Sequence, residues 1–230
     1  MAVVHNLDRS SGLDLVIHTP GGGTEATRAI VEYLYKMFGK NVRVIVPHLA
    51  MSAGTMIACA ASSVVMGKHS SLGPTDPHIR GHAALGVLSE IETALEEIKR
   101  EPMRQIVWQE VFRKYPPSII ADCERSVAGT REMIRGWLEN NMLSNFTDAG
   151  QRANNIIGEL MNYRDTTDHG HHFMIDKCKA MGLLIDTLEY DQSLQEHVLS
   201  VHHTYVATFA RTKALKVIEN AHGYVWNIST

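Results

Sequence analysis

The chain has 230 residues, a formal charge of −3, and 20% charged against 44% apolar residues. That is enough for one sizeable core with a helical appendage, and it lacks the broad basic field expected of a partner for nucleic acid or an anionic membrane. Cys59, Cys123 and Cys178 are an odd set with no paired short spacing, which excludes a disulfide framework and a cysteine zinc cage and points to a reducing, cytoplasmic setting.

In chain order, Leu13 to Thr19 reads as a strand and Glu25 to Phe38 as a helix with Ala26, Ala29, Ile30, Tyr33, Leu34 and Met37 on its apolar face. Val42 to Pro47 is a continuously apolar strand, the pattern of a parallel sheet covered on both faces. Ser52 to Ala61 follows as a small-residue helix and Ser63 to Met66 as a short third strand. This alternation specifies an α/β fold with right-handed crossovers. The uncharged stretch from Leu49 to Gly67 is of borderline length for a bilayer, but its Ser, Ala, Gly and Thr content reads as a buried helix and strand. No membrane span is expected, and with no basic-then-apolar leader at the start, no signal peptide either.

Gly67 to His78 is too rich in Gly, Pro and Ser for a regular element and reads as a long functional loop. From Leu85 to about Tyr163 the pattern is helical, broken at Pro102 and at Pro116-Pro117, with Trp108, Val111 and Phe112 on one buried stripe. After His169-Gly170-His171-His172 the sequence predicts a helix to Met181, a stop at Gly182, and a strand from Leu183 to Leu188. Ser193 to about Ala214 is a last amphipathic helix.

Two strand-to-helix junctions carry the chemistry. Ala50-Met51-Ser52-Ala53-Gly54 resembles a G-x-S-x-G elbow with Ala in place of the first Gly. Small residues flank the serine because bulk there would strike the sheet. A serine at such a turn is either a nucleophile or a plain helix N-cap. Thr19-Pro20-Gly21-Gly22-Gly23 ends the first strand and lets another backbone approach closely. Gly21 to Ala26 also satisfies a dinucleotide G-x-G-x-x-A pattern. However, the next strand ends in Val46-Pro47-His48, without the acidic residue that would hold a ribose.

Thr19-Pro20-Gly21-Gly22, then Ala50 to Thr55, then Ser71-Leu72-Gly73-Pro74-Thr75-Asp76-Pro77 resembles, in order and spacing, the serine dehydrogenase proteinase family, a branch of the ClpP/crotonase-fold serine peptidases. The resemblance runs from about Leu13 to Gly223 and takes in a helix from Leu194 to Asn220. It implies a parallel sheet built from stacked ββα units, with a core at 1–84 and 165–190, a helical insertion at 85–164 and a C-terminal helix at 191–230. It further implies a Ser52 nucleophile, an oxyanion hole from the Gly22 and Ala53 amides, a peptide or protein substrate, no ATP requirement and a homo-oligomer of ring type. No cofactor and no metal are expected.

The general base is open at this point. The family places a His after the serine and an Asp later, whereas this chain has Asp76 at the first place and the His169 to His172 cluster at the second. His171 or His172 could serve Ser52 with Asp76 orienting the imidazole, since a triad is defined by geometry rather than chain order. His78 is a second candidate, and a Ser–Lys dyad through Lys99 or Lys114 a third, though both lysines read as solvated. Zinc at His169, His171 and His172 lacks a helical i, i+4 pair with a carboxylate. His202-His203 and His5 read as surface or core polar groups. Two other functions fit the same fold: a catalytically silent scaffold, and an acyl-CoA enzyme that uses the oxyanion geometry without a nucleophile. A start so close to the glycine turn is expected to leave the sheet edge beside it open to pairing with another chain.

Overall fold

The computed structural model describes residues 2–162 and 170–230. Helix α1 (Ala2–His5) precedes strand β1 (Leu13–Val16), helix α2 (Thr24–Phe38), strands β2 (Val42–Val46) and β3 (Leu49–Ala50), helix α3 (Ala53–Ala60) and strand β4 (Ser63–Met66). Strand β5 (Ser71–Leu72) and the hairpin β6 (His78–Ile79) and β7 (His82–Ala83) lead into helices α4 (Ala84–Arg100), α5 (Arg104–Phe112), α6 (Ile119–Asn140) and α7 (Ala149–Leu160). Strand β8 (Phe173–Met174), helix α8 (Ile175–Met181), strand β9 (Ile185–Thr187), helix α9 (Gln192–Arg211) and strands β10 (Ala214–Glu219) and β11 (Val225–Ser229) follow.

The expected α/β class holds. β1, β2, β4 and β9 form one parallel sheet in that order. Alternate side chains divide its two faces. Val44, Val46, Val64 and Met66 pack with Met56, Ala58 and Cys59 of α3 and with Ile134 and Leu138 of α6. Ile45 and Val65 point the other way, against Leu188, which follows β9, and Val198 of α9. The uncharged stretch is therefore a buried helix and a buried strand, as its composition predicts. The carbonyl of Ala60 at the end of α3 accepts from Asn141 Nδ2 at 2.8 Å and from the Tyr35 hydroxyl, which satisfies a buried helix terminus.

Four expectations change. The buried face of α2 is Thr27, Val31, Leu34 and Phe38, while Ala26, Ala29 and Ile30 face solvent. The helix carries two apolar stripes, and its packing on Leu13 and Val42 selects one. The Gly67 to His78 segment is not without regular structure: β5 pairs in parallel with β3 and antiparallel with β8, forming a second, three-stranded sheet in which Ala50 of β3 also bridges to Thr19. Trp108, Val111 and Phe112 are half-buried, on a helix with no buried residue. The final helix ends at Arg211, and a hairpin replaces its expected continuation to Asn220. Asn220 Oδ1 organises that turn by accepting from the His222 and Tyr224 amides at 2.9 and 3.1 Å.

Candidate active site

Ser52 stands between β3 and α3 with φ 51° and ψ −109°, in a region that a residue with a Cβ rarely enters. Its side chain makes no capping bond to the helix it starts. The plain N-cap reading therefore fails, and the first turn of α3 keeps its amides uncovered by the hydroxyl. Ser52 is half-buried rather than sealed.

The glycine turn meets it. Thr19 N donates to Leu49 O at 3.1 Å and Met51 N to Thr19 O at 3.0 Å, so the two strand ends run side by side. A Cβ on Gly21, at φ +132°, would lie 2.9 Å from Ser52 Cβ and 3.5 Å from Ser52 Oγ. One on Gly22 would lie 3.7 Å from Ala53 Cβ. Gly54 has the same origin: a Cβ there would come 2.6 Å from Thr19 Cγ2. Thr55, fully buried, ties the junction to the next loop. Its Oγ1 lies 2.8 Å from Ala50 O and 3.0 Å from Gly73 O, and accepts from Gly73 N at 2.9 Å. Met51 is buried over Gly73, where a Cβ would meet its Cε at 2.4 Å.

The three-stranded sheet brings one histidine toward this point. Ala50 aligns with Leu72 and Leu72 with Phe173, so His172 stands two strands across from Met51, about 9–10 Å between backbones. Nδ1 of His172 lies 2.7 Å from Ser71 Oγ, so a serine rather than Asp76 holds that nitrogen. Asp76 is buried. His171 is exposed and packs its ring edge-on against Phe173, with centroids 5.0 Å apart. His169 lies outside the described residues. Among the described residues no imidazole hydrogen-bonds Ser52 Oγ. His78 lies on a paired hairpin strand, not a free loop, and Lys99 and Lys114 are exposed.

A second group of imidazoles gathers on the other side of the same strand ends. His18, His48 and His202 have ring centroids 5.0 to 5.9 Å apart. Desolvation, together with the neighbouring imidazoles, pushes His202 down to about 4. Desolvation and His48 likewise lower His18. Burial raises the thiols of Cys59 and Cys178 to about 12, which makes them poor nucleophiles. Sequence reasoning missed Ser71 and Thr55, whose roles arise from loop docking, and His18 and His48, which no local pattern joins.

Among the described residues no helix is long and apolar enough to cross a membrane. Two uncharacterized proteins of Methanocaldococcus jannaschii are similar to this chain. One is 44% identical over 80 residues, covering 35% of this chain and 28% of that protein. The other is 38% identical over 176 residues, covering 76% of this chain and 52% of that protein. The matches thus span about half or less of those relatives' length. Residues 3–196 match the family described as ClpP-like SDH-type serine proteinase. With that match over most of its length and a serine elbow facing a glycine turn beside a parallel sheet, the chain belongs to the ClpP-like SDH-type serine proteinase family.

Proposed function

We propose that the protein is an ATP-independent serine peptidase in which Ser52 attacks the scissile carbonyl and the amides of Gly22 and Ala53 hold the oxyanion. The observation that carries this reading is the positive-φ Ser52 elbow with Gly21 against its side chain. Only a residue without a Cβ admits a carbonyl so close to the hydroxyl. Ala53 is the first residue of α3, so its amide has no intrahelical acceptor and points with the helix dipole toward developing negative charge. Each such donor is worth about 3 kcal/mol in the transition state.

His172 is the proposed base. With Nδ1 at Ser71 Oγ, a proton on Nδ1 leaves Nε2 as the free lone pair that takes the Ser52 proton and returns it to the leaving amine. Ser71 then fixes the ring, and Asp76 supports the site from a buried position in the same loop. Catalytic hydrogen bonds often close only when substrate binds. His171, one residue away and exposed, is the alternative base.

The test is reaction with a fluorophosphonate probe. Labelling of the wild type that disappears in Ser52→Ala supports the peptidase. A folded protein that does not label is instead a silent scaffold, a reading favoured by the absence of an imidazole on Ser52 Oγ among the described residues. Turnover of an acyl-CoA thioester, indifferent to Ser52→Ala, would select the crotonase-like reaction.

We further infer a cytoplasmic homo-oligomer. The second apolar stripe of α2, with Ala26, Ala29 and Ile30 exposed, and β1 at the edge of its sheet each support a subunit contact. Three buried free cysteines suit a reducing compartment. Light scattering at micromolar concentration that gives a monomer would remove the oligomer.

A further inference from the structure

Along β1 and its extension, Leu13, Leu15 and Ile17 pack into the cores on the α2 and α3 side. Alternation therefore turns Val16 and His18 to the side that α9 covers. His48 follows the end of β2, and its ring stacks on that of His18 with centroids 5.4 Å apart and planes 13° apart. His202, buried on α9, completes the triangle at 5.0 Å from His18 and 5.9 Å from His48. One ring nitrogen from each residue lies within 4.8 Å of the other two.

A tetrahedral ion with metal–nitrogen bonds of about 2.0–2.1 Å sets its nitrogens about 3.4 Å apart. His18 and His48 are exposed, so closing to that spacing would fall on two surface rings rather than on the core. Three imidazoles suit a borderline divalent ion, whereas calcium and magnesium require oxygen ligands.

We propose that His18, His48 and His202 form a site for a divalent transition-metal ion of the zinc type, with the fourth position open to water, that clamps α9 onto the ends of β1 and β2. The ligands come from three segments far apart in the chain. An ion bound by all three therefore favours the folded state over the unfolded one. The clamped strand ends continue directly into the Gly21-Gly22 turn and Ser52.

The test is calorimetric titration of the chelator-treated full chain with Zn²⁺ alone. One equivalent is expected to bind the wild type and raise its Tm. In each of His18→Gln, His48→Gln and His202→Gln, affinity is expected to fall by more than the about 10–100-fold that loss of an outer-shell partner causes. His203→Gln is expected to keep the site, because His203 stands outside the triangle. If the buried His202 variant fails to fold, the exposed His18 and His48 variants decide. A wild type that binds no Zn²⁺ at micromolar concentration overturns the site. So does an equivalent that survives in both His18→Gln and His48→Gln, or one that is lost in His203→Gln.

Discussion

The ends of β1 and β2 are built differently on their two sides. Toward α3 they present small residues, a glycine turn and one strained serine, each within a run of a few consecutive positions. Toward α9 they present the imidazoles of His18 and His48, which meet His202 of that helix. The first arrangement is a demand of the backbone: two chains approach so closely that Gly21 and Gly54 admit no Cβ. The second is a product of helix docking. Close backbone approach writes itself into local sequence, whereas a side-chain cluster assembled by a distant helix leaves no such record.

Variants on the α3 side can break this comparison. Ser52→Ala is expected to cost about 10⁴-fold or more in peptide turnover and to leave Zn²⁺ affinity unchanged. Loss of both together would mean that the two sides are one site. His172→Gln is expected to lower kcat by about 10²–10⁴-fold. A kcat close to that of the wild type would pass the role of base to His171. Ser71→Ala should cost only about fivefold, the worth of one hydrogen bond of about 1 kcal/mol.

Gly21→Ala sharpens the geometric claim. The new Cβ would sit 2.9 Å from Ser52 Cβ at a φ of +132°, and the displaced serine is expected to lose about 10²-fold in kcat. Unchanged kcat would show that the turn does not confine the nucleophile. One expected effect has the opposite sign. Ser52→Gly removes both the hydroxyl and the strain at φ 51°, so urea unfolding is expected to show a gain of about 1 kcal/mol alongside lost activity. A serine serving only as a helix cap would instead lose stability.

Much of the fold was legible because period and punctuation agree locally. The β4 strand falls where four apolar-rich residues follow the small helix, and Gly182 stops α8 in a left-handed conformation, φ +105°. The buried stripe of α2 is not legible in the sequence, because Ala26, Ala29 and Ile30 recur at helical spacing as Val31, Leu34 and Phe38 do, and periodicity cannot say which of two faces meets the sheet. The terminal hairpin escaped notice because its strands are largely exposed and lack a dry face to betray their alternation.

At the site the same division holds. Ser52, Ala53 and the glycines stood out in the sequence alone, because a tight junction tolerates few residue types. Ser71 as the partner of His172 did not, because β5 acquires its neighbours only when β3 and β8 flank it.

The amino-acid sequence by itself determined the α/β order, the elbow serine and the glycine turn, since each depends on backbone sterics acting over a few adjacent residues. Tertiary structure alone decided which face of α2 is buried, which group holds His172, and that His202 meets His18 and His48. Those outcomes depend on how whole elements dock, and docking joins residues whose separation along the chain carries no signal.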